Sequence, residues 1–291
     1  MPISASHAIR GKLGDTQARD YSGKLQLFNA FAEPELRQAL ASLSLRPGMR
    51  ILDAGCGTGE VTTWLLEEIR HEGLVVGIDL AAAHVAVARR HVSPEALVAQ
   101  ADMLALPLKP ASFDLVWCAN TLHHLHDPLT GIEALTRLLR PGGRIALAQS
   151  AFLPDMYFAW DARLERLTTE AVRQYYRDRY GLQESDLTAV RSTVGLLRRA
   201  KLARVTAKTY LIERISPLGA ADEAYLCEAI FQGTWGERLR PYLAEGDYAQ
   251  LARLCDPRHR EFALHRPDFH FLQSLTLITA ETPLSVTRGR T

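Results

Sequence analysis

Between residues 50 and 152, short apolar runs alternate with amphipathic stretches, and few folds accept that order. "MRILDAG" reads as a buried strand and "EVTTWLLEEIR" as a helix. "LVVGIDL" and "AAHVAVARRHV" repeat the pair, and "ALVAQAD" is a short third strand. "FDLVWCAN", then "LTGIEALTRLLR", then a turn at Pro141-Gly142-Gly143 lead into a fifth strand, "RIALAQSAF". Strands that are apolar throughout need cover on both faces, which predicts an α/β fold with a parallel sheet between helical layers.

The flanks complete the plan. The polar stretch up to about Tyr21 reads as flexible until something orders it. A helix over "LFNAFAEPELRQALASLSL" ends at Pro47-Gly48. After Phe152 the rhythm breaks: residues 154 to about 185 read as helical and carry Tyr157, Phe158, Trp160, Tyr175, Tyr176 and Tyr180. "AVRSTVGLLRRAKL" is another sheet-covering helix and "RVTAKTYLIER" a strand. A second helical tract, about 219 to 264, precedes a last strand-like run, "FHFLQSLTLITAE". The expected organisation is therefore an N-terminal segment and helix (1–44), a ligand-binding core (45–152) and a helical cap insertion (153–187). A core helix and strand (188–215), a second helical insertion (216–268) and a final strand with tail (269–291) follow.

"ILDAGCGTGE" puts Gly55, Gly57 and Gly59 directly after the first strand and before a helix, the setting of a loop that lets a ligand approach backbone. A dinucleotide fingerprint would need glycine where Glu60 stands, and a phosphate loop would need Gly-Lys-Ser/Thr. Glu60 at the helix entrance is a poor neighbour for pyrophosphate and a tolerable one for a cationic or zwitterionic ligand. Asp79 ends the second strand, where a carboxylate can accept both hydroxyls of a ribose. Asp102 ends the third, placed to meet an exocyclic amine or to cap the next helix. Asp53, ahead of the glycines, organises the loop or faces a positive group.

With "VVGIDL", "AQADMLALPLKPASFDLVWCANTLHHL" and "LLRPGGRIAL", this loop resembles the successive motifs of class I S-adenosylmethionine-dependent methyltransferases. The group typified by the ubiquinone and menaquinone C-methyltransferases, with many natural-product methyltransferases, is the most similar. The resemblance covers about residues 45 to 152 and implies a Rossmann-like, seven-stranded, mostly parallel sheet whose last strand is antiparallel, with the two helical insertions as a substrate cap. It implies S-adenosyl-L-methionine as cofactor, with Gly55, Gly57 and Gly59 lining its methionine part. It puts Asp79 and Leu80 at the ribose, Asp102 and Met103 at the adenine, Asn120 near the methionine end and Tyr21 closing over the cofactor. Met103 could equally be core filler.

Methyl transfer from a sulfonium is a direct displacement, so alignment and exclusion of water matter most. A base is needed only where the nucleophile must lose a proton. "NTLHHLHD" offers His123 and His124 as catalytic candidates, or as residues that shape the loop, with His126 beside them and His265 and His270 as further candidates. "CANTLH" lacks the Asn/Asp-Pro-Pro-aromatic run used for amino methylation of adenine or glutamine, and "LAQSAF" lacks the acidic pair of a catechol-type metal site. No metal is expected.

The 34 Lys+Arg against 33 Asp+Glu leave a charge of +1, which offers no footprint for nucleic acid. Cys56, Cys118, Cys227 and Cys255 are scattered and suggest neither zinc nor disulfides, and no apolar run is long enough to span a bilayer. A cytoplasmic enzyme of secondary metabolism acting on a small quinone-like or related organic acceptor is the expectation. Tyr157, Phe158, Trp160, Tyr175, Tyr176 and Trp235 would roof the acceptor pocket, unless they hold the insertions on the sheet or build a homodimer surface. The alternatives are a non-methylating use of the same cofactor, in a cyclisation or rearrangement, methylation of a protein- or RNA-borne group, and a degenerate fold used as a binding or assembly module.

Overall fold

The structure, a computed structural model, describes residues 11–150, 161–183 and 189–284. These form one seven-stranded sheet of β1 (Arg50–Ala54), β2 (Leu74–Asp79), β3 (Leu97–Gln100), β4 (Phe113–Ala119), β5 (Leu139–Ser150), β6 (Ala203–Ile215) and β7 (His270–Glu281). Their order is β3-β2-β1-β4-β5-β7-β6. β1 pairs parallel with β2 and β4, and β2 with β3 and β4 with β5 likewise. β7 runs antiparallel to both neighbours, β5 and β6. The five apolar runs before residue 152 are thus five parallel strands, and the last strand is the reversed one.

Alternation along β1 sends Ile51 and Asp53 to one face and Leu52 and Ala54 to the other. The first face packs under α1 (Ser22–Ala41), α2 (Glu60–Glu68) and α3 (Ala82–His91), through Phe31, Leu36, Leu65, Ile69 and Ala88. The second packs under α4 (Pro128–Thr136) and α6 (Ala189–Arg199), through Ile132, Leu135 and Leu197. α5 (Ala162–Tyr180), α7 (Ala220–Ala224) running into a π-helical stretch at Tyr225–Trp235, and α8 (Glu245–Cys255) add to the first layer. α5 starts on an Asp161 cap that accepts from Arg163 and Leu164 N–H, and stops at Gly181, whose φ of 66° suits glycine.

Three details differ from the pattern reading, the first being that Pro141-Gly142-Gly143, read as a turn, lies within β5, where the pairing with β4 is irregular between Phe113 and Leu115. α1 begins at Ser22, earlier than its apolar periodicity indicates. The segment before it, read as flexible, is from Gly11 onward hydrogen-bonded to the loop after β4 and to α3: Lys12 N–H donates to the His124 carbonyl (2.8 Å) and Ala82 N–H to the Gln17 carbonyl (3.0 Å). Tyr157, Phe158 and Trp160 lie outside the described residues. No helix among the described residues is long and apolar enough to cross a membrane.

Candidate functional site

The chain leaves β1 toward β2 on one side and reaches β4 on the other, so a crevice opens at the strands' carboxyl ends between β1 and β4. The cleft there holds about 1190 Å³ of unfilled space, mouth included, which is ample for a nucleoside-sized ligand.

Its floor is the glycine loop. Gly55, Gly57 and Gly59 have φ of 83°, 53° and 92°, the left-handed region that side chains resist. At Gly55 a Cβ would fall 2.2 Å from Thr121 Oγ1, and at Gly57 it would fall 2.9 Å from Leu25 Cδ1 of α1. At Gly59 it would meet Val92 Cγ2 at 2.5 Å, so this glycine lets α3 pack behind the loop and does not line the cleft. The loop's N–H groups are largely engaged: Gly55 and Cys56 both donate to the Ile78 carbonyl (2.8 Å), Gly57 to Asp79 Oδ2 (3.0 Å) and Gly59 to the Cys56 carbonyl (3.0 Å). A phosphate cradle needs such N–H groups turned outward. This loop turns them inward.

Carboxylates surround it. Asp53 is buried on the α1–α2 face beside its ladder partner Trp117, and Oδ2 accepts from Thr62 Oγ1 (2.7 Å). Burial pushes its carboxyl up to about 7; the Thr62 bond opposes this, while Asp79 and Glu60 add to it. Glu60 Oε2 accepts from Thr58 Oγ1 (2.6 Å) and Asn29 Nδ2 (2.8 Å). Asp79 also accepts from Ala81 N–H (2.8 Å) and lies 3.1 Å from His84 Nδ1. His84 Nε2 in turn accepts from Tyr21 N–H (3.3 Å), and the two rings meet edge-on. Trp117 Nε1 is buried with no hydrogen-bond partner although its ring lines the cleft.

Along the rim, Asp102 does both things its position allowed. It caps the turn at Met103–Ala105 by accepting from Leu104 N–H (2.9 Å), and it lines the cleft with Leu80 and Met103. Asn120, at φ 46°, turns its side-chain oxygen to Ser150 N–H (2.8 Å), Ser150 Oγ (2.9 Å) and Gln149 Nε2 (3.0 Å), tying the ends of β4 and β5 together.

The histidines separate. His124 lines the cleft, and its Nδ1 sits 2.6 Å from Asp15 Oδ2. His123 does not line it; its Nδ1 meets Gln149 Oε1 at 3.1 Å. Burial, then the neighbouring His124 ring, hold His123 well below the usual imidazole range, against the Gln149 bond and Asp15. His265 and His270 pair with Glu223 (3.9 Å) and Glu213 (2.9 Å), away from the cleft. Tyr175, Tyr176 and Trp235 do not line it either. Trp235 stacks on Phe231 in the core, and Tyr175 and Tyr176 pack against each other, so their shape fills the interior. Among the described residues, the rings that line the cleft are Tyr21, Phe28, Trp117 and His124. Sequence reasoning passed over Asp15, His84 and Thr121, which meet His124, Tyr21 and the glycine loop across the fold. Among the described residues no three His, Cys, Asp or Glu side chains converge as a metal-binding group.

Residues 52–147 match a family model described as a methyltransferase domain. The chain is 37% identical over 118 residues to the 27-O-demethylrifamycin SV methyltransferase of Amycolatopsis mediterranei, covering 39% of this chain and 43% of that one. It is 36% identical over 113 residues to the 2-phytyl-1,4-naphtoquinone methyltransferase of Thermosynechococcus vestitus, covering 38% and 50%. The chain thus spans half the length, or less, of these two curated relatives. In three dimensions it resembles phosphoethanolamine N-methyltransferase 2 of Haemonchus contortus, with a TM-score of 0.53 at 18% identity, over 94% of this chain and 60% of that one. That likeness speaks for the fold alone. Motif order, sheet order and the family match converge on one segment: residues 52–147 match a methyltransferase domain, set in a sheet of order β3-β2-β1-β4-β5-β7-β6.

Proposed function

We propose that the chain is an S-adenosylmethionine-dependent methyltransferase that acts on a small organic acceptor, quinone-like or a secondary metabolite. One observation carries the reading. Asp53, Glu60 and Asp79 crowd a loop whose N–H groups face inward, and the charged groups that act on buried Asp53 are the other two carboxylates. Such a site repels phosphate and attracts a cation. The carboxylates at the ends of β2 and β3 fit the polar edges of an adenosyl amino acid.

When bound, the cofactor supplies a methyl group on a positively charged sulfur. Asp79 would take the ribose hydroxyls, Asp102 with Met103 the adenine, and the Asp53 side of the loop the amino-acid end. Leu25, Phe28 and Leu125 give the cleft an apolar wall that would keep water from the methyl carbon of a bound cofactor.

The test is calorimetric and has a sign. A carboxyl whose folded pKa is raised adds stability below the ordinary carboxylate range, and that stability is lost as pH rises through about 7. A cation placed near Asp53 drives it to ionise. Binding of S-adenosylmethionine at pH 6 should therefore release about one proton, read from the difference in apparent heat between phosphate and bis-Tris buffers. In Asp53→Asn the release should vanish, and so should the loss of unliganded stability between about pH 4 and 7. No binding of S-adenosylmethionine or S-adenosylhomocysteine would overturn the proposed function.

A further inference from the structure

The segment that precedes α1 brings an acid onto a cleft histidine 109 residues away. Asp15 is buried at 8% exposure, and its carboxylate is held from both ends. Oδ1 lies 2.7 Å from Arg19 Nη1, and Oδ2 lies 2.6 Å from His124 Nδ1. The approach is built into the chain. A Cβ on Gly11 would fall 2.7 Å from Asp15 Oδ2 and 2.9 Å from the His124 carbonyl, so only glycine leaves room there. Leu13 packs with Leu182, Tyr176 and Tyr180, which anchors the segment on the end of α5. Burial works to raise the Asp15 carboxyl, but the hydrogen bond to His124 and the neighbouring Arg19 guanidinium outweigh it and hold it below the usual range.

From this geometry we infer that Asp15 is a positioning residue that makes His124 the general base of the reaction, and that the acceptor presents a hydroxyl. The inference rests on the methyltransferase reading above. An ionised carboxylate on Nδ1 fixes the tautomer with the proton on Nδ1, which leaves the Nε2 lone pair as the ring's remaining polar atom. The other groups around the ring do not take over this role. His123, its centroid 4.1 Å away, is held neutral, and Arg19 is engaged with Asp15. An amine attacks through a lone pair it already has, whereas an alcohol or phenol must shed a proton, and an imidazole whose ring is fixed through Nδ1 can take it up on Nε2.

The step balances. The acceptor O–H proton moves to His124 Nε2 while the oxygen bonds to the methyl carbon, and the carbon–sulfur bond breaks with its electron pair left on sulfur. The products are a methyl ether, a thioether and an imidazolium beside Asp15, which returns its proton to water.

Two measurements decide it. Long-range ¹H–¹⁵N correlation of the imidazoles of the full chain, with His124 assigned by its loss in His124→Gln, should show the Nδ1–H tautomer in the wild type. With methyl-labelled S-adenosylmethionine and either 1-naphthol or 1-naphthylamine, label should enter only the naphthol, as 1-methoxynaphthalene. His124→Gln should lower that turnover roughly 100-fold. Asp15→Asn should lower it about tenfold, leave the cofactor KM unchanged and move the acid limb of the profile to lower pH. An Nε2–H tautomer, or an Asp15→Asn profile that does not move, removes Asp15 from the mechanism. Label in the amine, on a ring carbon of the naphthol, or in neither probe from a chain that binds the cofactor overturns the hydroxyl assignment. A chain that binds neither cofactor nor its demethylated product overturns the methyltransferase reading itself, while the tautomer still reports on Asp15.

Discussion

Asp79→Ala is expected to weaken S-adenosylmethionine binding by roughly 100-fold, because a carboxylate that accepts two ligand hydroxyls contributes about 3 kcal/mol. The same carboxylate already accepts from Gly57 N–H and Ala81 N–H and lies against His84. Its loss therefore frees a loop whose glycines sit at positive φ, and the unliganded chain should melt lower as well. Asp79→Asn separates the two effects. The amide oxygen can still accept from one of the two N–H groups, but the charge is gone, so affinity should fall about tenfold with a smaller drop in melting than in Asp79→Ala. Calorimetric titration paired with thermal unfolding reads both quantities. Unchanged affinity in Asp79→Ala would mean that the ribose lies elsewhere.

Asp79 also shows how far the sequence reaches. A carboxylate that ends an apolar run after a strand–glycine–helix unit is a local pattern, so its place at the cleft is readable from neighbours in the chain. Asp102 and Asn120 are readable in the same way. Gly59 shows the limit within a motif. Three glycines look alike in sequence, yet one faces Thr121, one Leu25 and one α3, because the turn rotates each in a different direction. The aromatic insertions show the same limit. Tyr175 and Trp235 have the composition of a pocket roof, but an aromatic ring buries as readily against protein as against ligand. Asp15 and His84 have near partners in Arg19 and Asp79, but the contacts with His124 and Tyr21 that tie them to the cleft lie 109 and 63 residues away, across the closed sheet.

Arg214→Ala should destabilise the chain by about 3 kcal/mol, the cost typical of removing one partner from a largely buried ion pair. Arg214 projects from β6 and meets Glu35 of α1 through Nη1 (2.9 Å) and Nη2 (3.0 Å), Asp222 of α7 through Nε (2.7 Å) and the Phe31 carbonyl through Nη2 (2.5 Å). Its guanidinium also lies over the Phe31 ring, 4.8 Å from the centroid. One side chain thus ties the sheet edge to the helix that carries Leu25, Phe28 and Asn29 into the cleft, and to the start of the second insertion. Removing it strands Glu35, which is 8% exposed, without its cation. The double replacement Glu35→Leu, Arg214→Met should recover most of the loss, because the penalty lies in the unpaired charge and not in the missing attraction. Urea unfolding of the two single variants and the double one measures the coupling. If Arg214→Ala unfolds within about 0.5 kcal/mol of the wild type, α1 is held by its apolar face alone, and the ion pair only decorates a contact that packing had already made.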